Sequence, residues 1–171
     1  NVTTMRQMFK DNDLFNQDIS NWDVSSVTEM YGMFWQASEF NQPIGNWDVS
    51  NVYDMEGMFD YAGNFNQDIS SWDVSNVTNM SRMFSASSFN QDISSWDVSN
   101  VLYIYAMFNG CSEFNQPIGN WDVSNVNNMT FMFNYASSFN QDLSNWDVEN
   151  VINCSTFSNN TPQWTLPQPN F

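Results

Sequence analysis

Histidine is absent from this chain of 171 residues, and only three residues are basic: Arg6, Lys10 and Arg82. Nineteen acidic residues outweigh them, giving a formal net charge of −16. A surface of this sign repels nucleic acid phosphates and anionic lipid headgroups, so we expect no binding to either. No run of about 18 apolar residues occurs, so we expect no membrane insertion by this segment. The chain has no nucleophile elbow and no glycine-rich phosphate loop, so the usual signatures of an enzyme are missing.

What the sequence does contain is one unit written six times. Phe-Asn-Gln begins at Phe15, Phe40, Phe65, Phe89, Phe114 and Phe139. Trp-Asp-Val follows at Trp22, Trp47, Trp72, Trp96, Trp121 and Trp146. The copies are 24 or 25 residues apart. A fixed period of this length is typical of a solenoid, in which each unit buries its apolar face against its neighbours.

The apolar spacing within one unit predicts its local structure. Ile-x-x-Trp-x-Val, as at Ile69 to Val74, matches the strand half of a leucine-rich repeat. From Val77 the apolar spacing becomes three and four, which indicates about two turns of helix. We therefore predict an α/β fold: a leucine-rich-repeat-like solenoid with one short parallel strand and one short helix per coil of about 25 residues.

The ends of the array predict its domain organisation. Residues 1–157 form one continuous repeat solenoid in this interpretation, with a partial first coil, because the chain begins with residues that match the middle of a unit. Residues 158–171 carry three prolines and break the pattern, so they are predicted to form a C-terminal cap. The opening residues also suggest a segment of a longer protein.

Two cysteines occupy apolar slots of the repeat. Cys111 stands where other units were aligned with Ala37, Ala62, Ala86 and Ala136, and Cys154 replaces a recurring methionine. Both are predicted to be free thiols in the interior, because two coils separate them.

A column of aspartates is the sharpest candidate site. It comprises Asp23, Asp48, Asp73, Asp97, Asp122 and Asp147. Stacked coils would hold these carboxylates about 5 Å apart, where like charges repel. Three explanations remain open: bound cations such as Ca²⁺, a basic partner surface, or Asx-turns in which each aspartate accepts the N–H two residues on. No cofactor is expected apart from this possible calcium.

Asparagine also repeats at one position, from Asn16 to Asn140, and predicts an internal amide ladder that satisfies backbone groups. The Trp and Met columns are predicted to be core. Sequons at Asn76, Asn79, Asn128 and Asn153 allow N-glycans.

Six aromatic residues depart from the repeat and mark a candidate partner-binding surface. They are Trp35, Tyr53, Tyr61, Tyr103, Tyr105 and Tyr135. If they lie on one side of the stack, a protein partner would contact them there.

The string from Asn66 to Phe84 resembles the repeat of the BspA-like bacterial surface proteins, which also occurs in mycoplasma lipoproteins, protists and large DNA viruses. The resemblance covers residues 1–157. It implies a non-enzymatic module on the cell or virion surface, or otherwise extracellular, that serves adhesion and protein–protein contact. The alternatives are a structural spacer or filament component that self-assembles, and a calcium-binding repeat scaffold.

Overall fold

The computed structural model describes residues 2–171, and Asn1, the first residue of the predicted array, lies outside the described residues. Successive units stack in parallel, each joined to the next by an isolated bridge. The bridge residues are Thr4, Glu29, Asp54, Asn79, Tyr103, Asn128 and Asn153. Taking each bridge residue as the start of a coil gives coils 1 to 7 at 4–28, 29–53, 54–78, 79–102, 103–127, 128–152 and 153–171.

The predicted α/β fold, with a strand and a helix in each coil, is wrong. Across residues 2–171 the backbone forms no helix, and its only β-structure is the seven single-residue bridges. The bridges fall within the segments that were predicted to be helical. The predicted strands contain a turn instead, as at Ser70 and Ser71, closed by Trp72 N–H donating to the Ile69 carbonyl at 3.1 Å.

A chain of tight turns replaces the predicted helix. In coil 3 the N–H groups of Met58, Asp60 and Ala62 donate to carbonyls three residues earlier. Two residues in this stretch, Gly57 and Tyr61, have φ near +60°. A positive φ at the third of four residues is the pattern of a type II turn. The equivalent pair recurs in all seven coils, and most of its members are not glycine.

Helix and turn chain share the same apolar spacing, which explains the error. Side chains three and four residues apart lie on one side of a helix. Turns closed by hydrogen bonds to the third residue also bring Met80, Met83 and Phe84 to one side, where all three are completely buried. The spacing therefore predicted correctly which residues face the core, but it did not determine the backbone path.

Hydrogen bonds between coils hold this path in place. In coil 1 the N–H groups of Met5, Gln7, Phe9 and Asp11 donate to carbonyls of coil 2 at 2.8–2.9 Å. The intervening residues bond within their own coil. A helix would direct every N–H group along its own segment and leave none for the neighbouring coil. A left-handed conformation costs a non-glycine residue about 1 kcal/mol or more, and the bonds between coils offset that cost.

Two stacks of phenylalanine rings fill the interior. One runs through Phe34, Phe59, Phe84, Phe108 and Phe133, with ring centroids 5.6–5.8 Å apart. The other runs through Phe40, Phe65, Phe89, Phe114 and Phe139 at 5.9–6.4 Å. These rings are fully buried, and each is worth roughly 1.5–3 kcal/mol in burial alone. The repeat therefore stabilises itself through identical neighbours.

The tryptophan column is core, as predicted, from coil 2 onward, and it also bonds the coils together. Trp47, Trp72, Trp96, Trp121 and Trp146 are 3–5% exposed, whereas Trp22 at the first coil is 39% exposed. Each buried indole N–H donates to an isoleucine carbonyl of the preceding coil, as from Trp72 to Ile44 at 3.1 Å. A leucine in this slot would pack but could not make this bond.

The one-residue deletion in coil 4 lies later than the sequence alignment placed it. Ala86 has φ +51°, like Tyr61 and Gly110, so it belongs to the left-handed column. Ser87 is the residue that fills the buried slot of Cys111, and its hydroxyl lies 3.7 Å from the Cys111 sulfur. Both cysteines are free, as predicted, although Cys154 is only half-buried. Burial raises the pKa of the Cys111 thiol to about 12.

Residues 158–171 continue the same path over coil 6. Trp164 occupies the slot of Phe139 and packs edge-on against that ring, with centroids 4.7 Å apart. Its indole N–H donates to the Gln141 carbonyl at 3.0 Å. The division at residue 157 stays a prediction.

The turn chain makes a testable difference at Thr156, an exposed residue with φ +57°. Thr156→Gly removes the steric cost of a β-branched side chain in the left-handed region, so we expect it to raise the free energy of unfolding by about 0.5–1 kcal/mol. Ser155→Gly, at an ordinary φ, is the matched control and should lower stability. Urea denaturation measures both, and a loss of stability in both variants would contradict the turn assignment.

Candidate functional site

The aspartate column forms Asx-turns. Each carboxylate accepts the backbone N–H two residues on at 3.0–3.1 Å, as Asp73 does from Ser75. In five of the six coils a serine hydroxyl donates to the same oxygen at 2.6 Å. The serine hydroxyl, followed by the backbone N–H, lowers the pKa of Asp23, Asp73 and Asp122. One oxygen of each carboxylate is therefore engaged in shaping the chain.

Metal-binding geometry is not evident at this column. Within the described part of the chain, no three acidic or thiol side chains come together in an arrangement that could hold a metal ion. Calcium binding at the aspartates stays a prediction, and the Asx-turn explanation has direct geometric support.

The asparagine ladder is confirmed. Asn66 Oδ1 accepts the backbone N–H of Asn90 at 2.9 Å and the Gln91 amide at 3.0 Å, and the same pair of bonds joins each neighbouring coil. The glutamine column thus helps to hold the ladder. A second amide column, which the sequence reasoning missed, joins Asn76 to the Ser50 carbonyl at 2.8 Å.

The four sequon asparagines all have hydrogen bonds within the protein. Asn79 donates to Glu56 at 2.8 Å and accepts from Ser81 N–H at 3.0 Å. Asn128 and Asn153 each accept a backbone N–H two residues on. Glycosylation of these residues stays a prediction.

The aromatic departures from the repeat fall in one part of the coil. All six tyrosines and all three basic residues of the chain lie between one residue before a bridge residue and seven residues after it. We call the solvent-facing side chains of these segments the aromatic face; the segments are 3–11, 28–36, 53–61, 78–86, 102–110 and 127–135. Tyr53, Tyr61, Tyr103 and Tyr135 are 44–58% exposed, and Trp35 and Tyr105 are half-buried.

Ion pairs and cation–π contacts connect part of this face. Arg6 donates to Glu29 at 3.0 Å, lies 3.6 Å from Asp54, and stacks over the Tyr31 ring at 4.6 Å. The Tyr53 hydroxyl donates to the other Glu29 oxygen. The hydrogen bond from Tyr53, with that from Arg6, lowers the pKa of Glu29. These groups form one network across coils 1 to 3.

The other two basic residues also lie over aromatic rings. Lys10 Nζ is 4.1 Å from the Trp35 ring centroid, and the Arg82 guanidinium is 5.9 Å from that of Tyr105. Tyr105 packs edge-on against Phe131. Trp35, Tyr53 and Tyr105 are thus bound into contacts with basic or acidic neighbours, whereas Tyr61 and Tyr135 stand three coils apart in the left-handed column.

Sequence reasoning missed Tyr31 and Phe131 on this face. Tyr31 fills the column that holds Glu56, Ser81 and Tyr105, and Phe131 fills the column of Gly57 and Arg82. Comparing each column across the repeats would have identified both as departures.

The face is also distinct in charge. It holds all three basic residues and five of the nineteen acidic ones, Asp11, Glu29, Asp54, Glu56 and Asp60. Its net charge is therefore −2, and the other fourteen acidic residues lie elsewhere with no basic residue among them. A partner would meet a mixed, aromatic surface here and a uniformly negative one on the other sides.

These features define a repeat protein built from stacked turns, with a core of phenylalanine, methionine and tryptophan columns and one divergent surface. The chain belongs to the family DUF285, described as a Mycoplasma protein of unknown function, which matches residues 1–88 and 69–166. No curated protein and no solved structure matches the chain. Within residues 2–171 there is no helix of the length and apolarity needed to cross a membrane.

Asn66→Ala tests the contribution of the amide ladder. The substitution removes the acceptor for Asn90 N–H and for the Gln91 amide, so we expect the free energy of unfolding to fall by about 1–2 kcal/mol. Asn120→Ala, which removes an exposed asparagine outside the ladder, should change it by less than about 0.5 kcal/mol. Equal effects in urea denaturation would show that the ladder adds no stability.

Asp73 provides a test of the Asx-turns by pH. Its native pKa lies below the ordinary value of 3.8, so the stability that the ionised turn contributes is present above that pH and is lost as the pH falls through the lower native pKa. Asp73→Asn keeps an acceptor oxygen but does not titrate there. The difference in unfolding free energy between the parent and Asp73→Asn should therefore shrink below pH 3.8. A difference that stays constant from pH 5 to pH 2.5 would contradict this account.

Proposed function

We propose that the chain is a non-enzymatic protein-binding module whose contact surface is the aromatic face. The observation that carries this proposal is that every tyrosine and every basic residue lies in that one part of the repeat. A residue type needed only for stacking would recur in each coil, as the phenylalanines do. Residues that differ from coil to coil serve something outside the repeat.

The chemistry of the face supports this proposal. Tyrosine, tryptophan and arginine are the side chains most often found at the energetic centres of protein interfaces, because they bury a large area and also form hydrogen bonds. Several are held in place before any partner arrives, as Tyr53 and Arg6 are by Glu29. Holding side chains in advance reduces the entropy lost on binding.

The resemblance to the BspA-like surface proteins agrees with this role. It supports a location outside the cell or on a cell or virion surface, and a use in adhesion. The excess of acidic residues on the other sides of the stack would disfavour contact there with nucleic acids, anionic lipids and other acidic surfaces, leaving the aromatic face as the adhesive one.

A matched pair of triple variants tests the proposed contact surface. Tyr61→Ala, Tyr103→Ala and Tyr135→Ala together remove three exposed rings of the face, for which the structure shows no side-chain hydrogen bonds. Asp73→Asn, Asp97→Asn and Asp122→Asn together are the control on the acidic side. Binding of each purified protein to a panel of extracellular proteins is measured by biolayer interferometry.

We expect at least one panel member to bind the parent saturably, to bind the tyrosine variant at least tenfold more weakly, and to bind the aspartate variant as it binds the parent. Equal weakening by both variants, or weakening by the aspartate variant alone, would contradict the aromatic face as the contact surface. Thermal unfolding of both variants near the parent temperature shows that the fold is retained.

A further inference from the structure

A small recess opens in the aromatic face at coil 3. Gly57 forms its floor because it stands in the left-handed column where Arg82 and Phe131 place side chains in later coils. Its lining is completed by Tyr31, Trp35, Glu56, Asp60 and Arg82. The recess has a volume of about 20 Å³, which admits one group the size of a water molecule or an ammonium.

Asp60 sets this recess apart from the rest of the chain. It is 1% exposed, and it is the one buried charged residue among residues 2–171. Its Oδ1 has no hydrogen-bond partner within the protein, and neither has the buried Nε of Arg82, which lies 3.9 Å from Asp60 Oδ2. A buried carboxylate oxygen without a donor is costly, so most such groups in proteins are satisfied.

The charges around the recess favour a cation. Two carboxylates, Glu56 and Asp60, face one guanidinium, that of Arg82, so the lining carries one excess negative charge. The other two basic residues of the face are already engaged, Arg6 with Glu29 and Asp54, and Lys10 with the Trp35 ring. The protein therefore supplies no further positive group to balance the recess.

The walls favour an ammonium group in particular. Tyr31 and Trp35 present aromatic rings, which attract cations through their negative faces. An ammonium has three donors, and Asp60 Oδ1 is an acceptor without a donor. A guanidinium is planar and broader than a single water-sized group, so it fits a recess of this volume less well.

We propose that the recess binds a primary ammonium group, supplied by a lysine side chain of the protein partner. This inference rests on the proposed function for the source of the lysine, but the binding of the ammonium group itself does not. The lysine would enter from the open side of the aromatic face, lay its alkyl chain along Trp35 and Tyr31, and place its ammonium against Asp60.

The probe for this site is n-butylammonium chloride, titrated into the ¹⁵N-labelled full chain and followed by NMR. The backbone N–H of Gly57 and the indole N–H of Trp35 report on the recess. We expect both to shift saturably at millimolar probe, beyond the shift that sodium chloride causes at equal ionic strength. n-Butanol, which has the same alkyl chain without the charge, should cause no saturable shift.

Two variants and one control make the assignment specific. Asp60→Asn should weaken n-butylammonium binding at least tenfold, and Glu56→Gln should weaken it as well; the second variant decides the question if the first does not fold. Asp73→Asn, on the acidic side, should bind as the parent does. Binding that persists in both recess variants, or that sodium chloride reproduces, would overturn the proposal.

Ammonium chloride distinguishes the sources of the cation. If it binds as tightly as n-butylammonium, the recess takes a small free cation, and the lysine part of the proposal is overturned. The tyrosine triple variant leaves the lining of the recess intact, so it should still bind n-butylammonium. Failure of partner binding and failure of the recess are therefore separate results.

Discussion

The whole structure depends on one constraint: alternate backbone N–H groups in each coil must reach the carbonyls of the next coil. The bonds from Met5, Gln7, Phe9 and Asp11 to coil 2 meet this requirement, and equivalent bonds recur along the stack. A helix would use those N–H groups internally, so the segment takes a chain of turns instead. The left-handed residues, such as Tyr61 and Arg82, follow from that choice, because the turns need a positive φ at fixed places.

Side chains then reinforce the same direction of stacking. The Trp72 indole reaches back to Ile44, the Asn76 amide reaches back to Ser50, and Asn66 Oδ1 receives donors from coil 4. Phenylalanine rings lie over their own copies at 5.6–6.4 Å throughout the interior. Each coil thus satisfies its neighbour with groups that recur every 24 or 25 residues, and residues outside these roles are released from the requirement to repeat.

That release explains where the divergent surface lies. Residues before, within and after the bridge point outward between buried methionines, so they can vary without disturbing the core. Tyr31, Glu56 and Tyr105 occupy one column with different chemistry, and Gly57 leaves a gap where Arg82 fills the same position one coil later. The recess beside Asp60 exists because a residue without a side chain stands between two coils that carry large ones.

The sequence by itself determined the period, the stacking partners and the inward residues, because repetition aligns like with like and apolar groups leave water. It also predicted the asparagine ladder and the free thiols. The backbone path was decided only in the tertiary structure, since helix and turn chain place Met80, Met83 and Phe84 identically and glycine marks only three left-handed positions. The contacts of Tyr31 and the burial of Asp60 likewise needed the neighbouring coils, because each arises from residues about 25 positions away.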